Sequence, residues 1–147
     1  MTENQCKKLW DLHRSVLLDE LVDNINIHKN FTNIIVDCTL WMWWHAKEII
    51  KKMNKWDTFV WFDADYRNLE IVKPHLEKIA LENNVNIFFV NDNFNNLKIN
   101  LEKLWINEIT WIYYDFWLSS LHVDEAQRWF SFRFDGPLDM RFDETKW

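Results

Sequence analysis

Residues 33–50, NIIVDCTLWMWWHAKEII, contain the pattern that decides the fold of this chain. The short apolar run at residues 33–38 is typical of a buried strand. After a turn, apolar residues recur at positions 46, 49, 50 and 53, which is the spacing of one face of a helix. A strand, a tight turn and a helix form the unit from which parallel α/β sheets are built.

The same alternation continues along the chain. Strands are predicted at residues 33–38, 57–63, 85–90 and 109–116, and helices at 18–25, 46–53, 69–79 and 97–104. Pro74 predicts a kink or a restart in the third helix. This order predicts a parallel sheet with covering helices and right-handed crossovers. The run at 109–116 is the most apolar, so we expect it to be a central strand covered on both sides.

Length and composition set broad limits. A chain of 147 residues fits one domain with a real core. It has no stretch of 18 apolar residues and no apolar signal region near its start, so neither a membrane span nor export is predicted. Cys6 and Cys38 are too few for a disulfide framework and no metal-ligand pattern is present, which favours a reduced, cytoplasmic setting. The net charge of −6 by itself gives no support to a nucleic-acid surface.

Tryptophan and glycine occur in unusual numbers. The chain has eleven tryptophans and a single glycine, Gly136, whereas average usage gives about ten glycines in this length. The two counts together equal an ordinary glycine content. We therefore interpret most of the tryptophans as standing where the functional protein has glycine. A gene that uses UGA for glycine, translated by a table that reads UGA as tryptophan, would produce this pattern.

The turn at residues 37–46, DCTLWMWWHA, is the first candidate site. With glycine at Trp41, Trp43 and Trp44 it becomes a glycine-rich turn that opens a helix and lets a cofactor approach the backbone. Asp63 ends the second strand, 22 residues after Trp41, where a carboxylate can accept hydrogen bonds from both ribose hydroxyls. The pattern predicts an adenosine-containing cofactor, and it does not separate NAD from S-adenosylmethionine.

Genuine tryptophans would allow another interpretation, a non-enzymatic binding module. Their rings can stack on bases or sugars. However, the cluster at residues 41–44 lies in a tight turn beside a core strand, where large side chains have little room. The remaining tryptophans follow turn and strand positions and do not gather on one face.

Four segments together resemble one known family, the S-adenosylmethionine-dependent small-subunit ribosomal RNA (cytosine-N4)-methyltransferases of bacteria. They are HRSVLLDE at 13–20, DCTLWMWWHA at 37–46, DFWLSS at 115–120, and QRWFSF at 127–132 followed by DGPLDMR at 135–141. The resemblance covers nearly the whole chain from His13, and the last segment is the most specific. The family usually has glycine at ten of the eleven tryptophan positions: clearly at 41, 43, 44, 56, 61, 117 and 129, and less clearly at 105, 111 and 147.

This resemblance implies a class I methyltransferase fold, a Rossmann-like, doubly wound α/β sheet. Residues 1–32 would then form an N-terminal helical segment, and residues 33–147 part of the S-adenosylmethionine-binding domain. The family inserts a helical substrate domain into the sheet and closes the sheet with further strands. Both are expected beyond the end of this chain, so Trp147 would end a fragment.

The resemblance also implies which residues contact the cofactor: Trp43, Trp44, His45, Asp63, Phe94, Asp115 and His122. The turn would pass under the methionine part of the cofactor, Asp63 would hold the ribose, and Phe94 would pack on adenine. Asp115 would lie near the methyl-transfer centre as the candidate catalytic residue. His122 stands where the family often has glutamine.

The implied reaction is transfer of a methyl group to a cytidine of the small-subunit (16S) ribosomal RNA. The exocyclic amine of cytosine attacks the sulfonium methyl in line, and the enzyme aligns the two groups and accepts a hydrogen bond from the amine. Asp115, or the backbone near Ser119 and Ser120, could accept that bond. An NAD-dependent oxidoreductase is the alternative enzyme class, and the segments at 115–120 and 127–141 argue against it. With indoles in its turn, the chain as written is expected to bind S-adenosylmethionine weakly or not at all.

Overall fold

The computed structural model describes residues 17–39, 43–116, 130–132, 135 and 141. Within these residues, helices and strands alternate as the sequence predicts. The elements are α1 (Leu18–Asn24), β1 (Ile34–Asp37), α2 (Trp44–Lys52), β2 (Thr58–Phe62), α3 (Tyr66–Asn83), β3 (Asn86–Val90), a 3₁₀ turn (Phe94–Asn96), α4 (Leu97–Lys103) and β4 (Trp111–Tyr113).

The four strands of the described residues form one parallel sheet in the order β3-β2-β1-β4. Ile35 of β1 pairs with Phe59 of β2 on one side and with Trp111 of β4 on the other. The chain therefore builds outward from β1 to β3 and then returns to the opposite side of β1. This reversal makes a topological switch point between β1 and β4, and ligands of such sheets bind at the carboxyl ends of the strands beside it.

The sheet is covered on both faces. Because successive side chains of a strand point to opposite faces, Ile35 packs in one apolar layer and Val36 in the other. The first layer includes residues of α1, α2 and α3, among them Val22, Ile49 and Leu76. The second layer contains Leu101 of α4 and Ile106. Burial on both faces explains the continuous apolar runs of the strands.

Helix α3 runs through Pro74 from Tyr66 to Asn83, so the predicted restart at this proline is wrong. Proline cannot donate a backbone hydrogen bond to the residue four positions earlier, here Glu70. Both Pro74 and Glu70 are exposed, so water can solvate the carbonyl left without a donor. Burial of the opposite face, which includes Val72 and Leu76, holds the helix together across this point.

Strand β4 is shorter than predicted, and within the described residues it is the strand beside β1 at one side of the sheet. Its ladder with β1 reaches the bond from the Cys38 N–H to the Tyr113 carbonyl, 3.1 Å long. Next to each end of β4 a threonine side chain links the two strands. Thr110 Oγ1 bonds the backbone of Ile34, and Thr39 Oγ1 accepts a bond from the backbone N–H of Asp115.

Candidate functional site

Acidic residues gather where the four parallel strands end. Asp37 is the last residue of β1, and Asp63 directly follows β2. Asp92 and Asp115 each lie two residues beyond the end of their strands, β3 and β4. Because parallel strands end at one edge of the sheet, all four carboxylates belong to the edge that also carries the switch point.

Hydrogen bonds fix the Asp63 carboxylate at the end of β2. Its Oδ1 accepts a bond of 2.6 Å from the N–H of Asp65, and Asp65 in turn caps α3 by accepting a bond from the N–H of Arg67. The side-chain amide of Asn91, just after β3, donates to the carbonyls of Asp63 and Ala64. The half-buried Asp63 side chain is therefore oriented before any ligand is present.

Asp92 holds the 3₁₀ turn that carries Phe94. Its Oδ1 accepts a bond of 3.0 Å from the side-chain amide of Asn96, and its Oδ2 accepts one of 2.8 Å from that of Asn100. The Oδ1 of Asn93 accepts from the N–H of Asn95 and caps the same turn. Hydrogen bonds to the side chains of Asp92 and Asn93 thus fix the segment that carries Phe94, the predicted adenine contact.

Three aromatic rings bring the segments after β3 and β4 together. The ring of Phe94 meets Tyr114 and Phe116 edge-on, with centroid distances of 5.6 and 5.8 Å. Tyr114 and Phe116 stack on each other at 5.3 Å. All three are exposed, so this edge presents an apolar surface suited to a flat ring.

Asp37 is buried at the end of β1 and has two hydrogen-bond donors. The Tyr113 hydroxyl donates to Oδ2 at 2.7 Å, and the N–H of Thr39 donates to Oδ1 at 3.0 Å. Burial raises the pKa of Asp37 from 3.8 to about 7, because it removes the carboxylate from water. The two hydrogen bonds oppose this rise in pKa, and the negative charge of Asp115 adds to it.

The neighbouring thiol does not supply a nucleophile. Burial raises the pKa of Cys38 to about 12, although a hydrogen bond with Tyr114 opposes the rise and the charge of Asp37 adds to it. A thiol needs its thiolate form for nucleophilic attack. Covalent catalysis through Cys38 near neutral pH is therefore not supported.

The turn between β1 and α2 brings His45 to the same edge. His45 is buried in the first turn of α2, with its ring edge-on to Tyr113 at a centroid distance of 6.3 Å. The Trp43 ring lies 4.7 Å from the His75 ring of α3. Lys47 places its ammonium 5.4 Å from the centroid of Trp44.

Two buried indoles fit poorly in their surroundings. The indole N–H groups of Trp44 and Trp61 are buried, and within the described part of the chain neither has a hydrogen-bond acceptor. A buried donor without a partner costs about 1–3 kcal/mol. Glycine at either position would bring no such donor.

Two other tryptophans have the backbone conformation of glycine. Trp56 has φ 72° and Trp105 has φ 61°, both in the left-handed region that glycine enters without steric cost. Trp105 directly follows the C-cap of α4, at the position where glycine is most common. These angles agree with the interpretation that tryptophan stands in place of glycine.

The structure gathers most of the predicted site residues at one edge. These are Trp43, Trp44, His45, Asp63, Phe94 and Asp115. His122 and Trp41 lie outside the described residues. Sequence reasoning assigned no role to Asp37, Thr39 or Tyr113, although Asp37 opens the quoted turn. Their link depends on β4 pairing with β1, because 76 residues separate Asp37 from Tyr113.

A buried polar network lies at the amino ends of β1 and β2, away from the site. There Asp57 accepts hydrogen bonds from the N–H and the side-chain amide of Asn33, at 2.7 and 3.0 Å, and from the N–H of Asn54 at 2.8 Å. Asp57 and Asn33 are buried. This carboxylate is used within the fold to join the starts of β1 and β2.

Over the described residues, no helix is long and apolar enough to cross a membrane. The same residues include no group of three or more histidine, cysteine, aspartate or glutamate side chains that could hold a metal ion.

The buried Asp37 gives a first testable prediction, on stability. Its folded-state pKa of about 7 exceeds the ordinary 3.8, so between pH 4 and 7 the folded chain keeps a proton that the unfolded chain has released. The free energy of unfolding therefore falls as pH rises through this window, by up to about 4 kcal/mol. Asp37→Asn removes this contribution, and urea denaturation at pH 4.5, 6 and 8 measures it. Asp23→Asn, at an exposed carboxylate, is the matched control. An unchanged pH dependence in Asp37→Asn would contradict the prediction.

The fold and the edge residues together define a class of protein. A parallel sheet with a switch point, a strand–turn–helix at β1 and an acid at the end of β2 is the arrangement of Rossmann-like proteins that bind nucleotide-type cofactors. Comparison with known families is more specific. A family model described as the MraW methylase family matches residues 11–147. The chain belongs to this family.

Curated relatives carry the same printed name, ribosomal RNA small subunit methyltransferase H. The protein of Clostridioides difficile is 40% identical over 131 residues, which are 89% of this chain and 40% of that protein. The proteins of Clostridium botulinum and Malacoplasma penetrans are each 37% identical over 134 residues, 91% of this chain and 41% of each relative. The chain thus spans about two fifths of the length of these relatives.

Proposed function

We propose that this chain is part of an S-adenosylmethionine-dependent enzyme that methylates the N4 amine of a cytidine in small-subunit ribosomal RNA. One observation carries the proposal. Asp63, Phe94 and Asp115 lie on three separate segments, yet all occupy the carboxyl edge of the sheet beside the switch point. Membership of the MraW methylase family and the printed name of the relatives point to this chemistry. We propose a cytoplasmic location because the RNA substrate is there.

Each residue has a proposed role. The oriented carboxylate of Asp63 accepts hydrogen bonds from the ribose hydroxyls, and the ring of Phe94 packs on adenine. The turn at residues 43–45 passes under the methionine part, where glycines would let the backbone approach closely. His122 is proposed as a further cofactor contact from the family resemblance alone.

Asp115 is the proposed catalytic residue. It accepts a hydrogen bond from the exocyclic amine of cytosine, so that the nitrogen lone pair points at the methyl group. The new N–CH₃ bond forms as the S–CH₃ bond breaks, and S-adenosylhomocysteine leaves. The amine then loses one proton, to Asp115 or to water. Positioning and hydrogen bonding supply the catalysis, and no covalent enzyme intermediate is needed.

A binding experiment tests the proposal. It uses the glycine-restored full-length protein, which we define as the product of the whole reading frame that encodes this chain, with Trp41, Trp43 and Trp44 changed to glycine. Calorimetry should show micromolar binding of S-adenosylmethionine and no binding of NAD, and labelled methyl groups should pass to small-subunit ribosomal RNA. Tight binding of NAD alone would favour an oxidoreductase instead.

Asp63→Ala in that protein supplies the next prediction. Loss of charge-assisted bonds to the ribose should weaken S-adenosylmethionine binding by roughly 10- to 100-fold. Asp57→Asn is the control on the opposite edge, provided the variant folds by circular dichroism. Equal affinities of the parent and Asp63→Ala would remove Asp63 from the site.

A further inference from the structure

Asp115 lies beyond the last ladder bond of β4, so its position needs another support. The ladder reaches the bond from the Cys38 N–H to the Tyr113 carbonyl. Two residues later the N–H of Asp115 donates to Thr39 Oγ1. A side chain of the β1–α2 turn therefore takes the place of a backbone partner at this point.

Thr39 is itself held in place. Its N–H donates to Asp37 Oδ1 at 3.0 Å, and the other oxygen of the same carboxylate accepts the Tyr113 hydroxyl at 2.7 Å. The bonds form one chain, from Tyr113 through Asp37 and Thr39 to Asp115. Asp37 and Tyr113 are buried and Thr39 is half-buried, so water competes little for these bonds.

We propose that Asp37 and Thr39 are positioning residues that hold Asp115 at the methyl-transfer centre. This inference rests on the proposed function, because it takes Asp115 as the group that aligns the target amine. In-line transfer depends on geometry, and a misplacement of about 1 Å can cost about 100-fold in rate. The hydrogen-bonded chain restricts that misplacement, because it ties the segment after β4 to the rigid end of β1.

A second threonine hydroxyl, at the amino ends of β1 and β4, provides the control. Thr110 Oγ1 accepts a bond of 2.8 Å from the N–H of Ile34 and donates one of 2.7 Å to its carbonyl. Thr110 thus links the start of β4 to the start of β1, whereas Thr39 links the segments that follow the two strands beside the site. A threonine-to-valine change at each position removes one interstrand hydroxyl, and only the change at 39 should affect catalysis.

The chain should also respond to pH. Among the described residues, the ionisable groups that face Asp37 are Cys38, beside it in sequence, and Tyr113 and Asp115 from β4 and its extension. His45 of α2 faces the Tyr113 ring. When Asp37 gains a proton, the bond from the Thr39 N–H loses its charge assistance, and the protonated oxygen becomes a donor toward Tyr113. The support of Asp115 is then weaker, so methyl transfer should fall as pH drops through the region near 7.

The kinetic test uses the glycine-restored full-length protein. Thr39→Val should lower kcat by roughly 10- to 100-fold, and KM should change by a smaller factor. Thr39→Ser keeps the hydroxyl and should stay within about threefold of the parent, and Thr110→Val should keep the parental kcat. Asp37→Asn should lower kcat at pH 8 and abolish the fall in kcat as pH drops through the region near 7. The difference in free energy of unfolding between this variant and the parent should shift in favour of the variant from pH 5 to pH 8. A purely structural role would move stability and kcat in the same direction and would overturn the proposal.

A second measurement works on the 147-residue chain without cofactor. Thr39→Val should speed hydrogen exchange of the Asp115 amide by about fivefold, because a bond worth about 1 kcal/mol protects it. Thr110→Val should leave that amide unchanged. Exchange of the Asp115 amide in Thr39→Val that is as slow as in the parent would overturn the positioning role, whatever the kinetic result. Absence of methyl transfer in the parent, with the exchange result as expected, would instead count against the proposed function.

Discussion

The full-length protein with glycine at positions 41, 43 and 44 is expected to bind S-adenosylmethionine at least about a hundredfold more tightly than the same protein with tryptophan there. Each indole forced into a crowded site costs about 1–3 kcal/mol, and 1.4 kcal/mol corresponds to a tenfold change in affinity. The 147-residue chain as written should show no micromolar binding and no methyl transfer. Isothermal calorimetry on the paired proteins measures the difference.

The surroundings of the turn explain the size of this effect. Trp43 packs its ring on His75, and the indole N–H of Trp44 is buried without an acceptor in the described residues. Trp43 is the N-cap of α2 and Trp44 is its first residue. Both indoles therefore belong to the helix end whose backbone N–H groups would otherwise face a ligand. Glycine removes the Cβ atoms and lets the cofactor reach the backbone.

Two controls make the result decisive. Trp111→Gly changes a tryptophan in β4, away from the turn, and should not restore binding. The codons provide a direct check, because UGG at positions 41, 43 and 44 would show that the tryptophans are genuine. Micromolar binding by the tryptophan-bearing protein would contradict the prediction just as directly.

The double change Trp56→Gly and Trp105→Gly is expected to stabilise the 147-residue chain. A residue with a Cβ in the left-handed conformation costs about 1–2 kcal/mol, so the two changes together should add about 2–4 kcal/mol to the free energy of unfolding. For a chain of this size the midpoint of thermal unfolding should rise by roughly 5–10 °C. Urea and thermal denaturation followed by circular dichroism measure both quantities.

The turns at both positions demand the left-handed conformation. After α4, the N–H of Trp105 bonds the Glu102 carbonyl at 3.0 Å and the N–H of Ile106 bonds the Leu101 carbonyl at 2.9 Å, the paired bonds of a Schellman motif. Trp56 is the third residue of a turn closed by the bond from the Asp57 N–H to the carbonyl of residue 54.

Little packing is lost when these two indoles are removed. Trp56 is 69% exposed and Trp105 is 90% exposed. Asn84 ends α3 with φ 57° in the same kind of turn, and asparagine tolerates this conformation better than tryptophan does. Relief of backbone strain should therefore dominate the change in stability.

Trp111→Gly is the opposing control. Trp111 lies in β4, and its indole N–H donates to the carbonyl of Asn26 at 3.1 Å. Glycine there loses that bond and weakens the strand, so stability should fall. If the double variant also lost stability, the left-handed angles would not reflect a glycine requirement.

Much of the fold follows from local pattern. The order of helices and strands was predicted because periods of 3.6 and 2 are properties of neighbouring residues. Asp63 was predicted from its place at the end of the second strand, and Asp115 from the family resemblance. The structure departs from the expected elements at two points. Helix α3 continues through Pro74 because its opposite face is buried, and β4 ends at Tyr113 because its pairing with β1 ends there.

The sequence by itself determined the element order, the family resemblance and the unusual counts of glycine and tryptophan, since each can be read from the residues without the fold. Only the tertiary structure decided that Tyr113 bonds Asp37 and that Thr39 holds Asp115, because each pair is 76 residues apart. It also decided that Asp37 is buried with a raised pKa, which depends on the atoms that surround the carboxylate. Contacts of this kind arise from the register between strands, and no local pattern encodes that register.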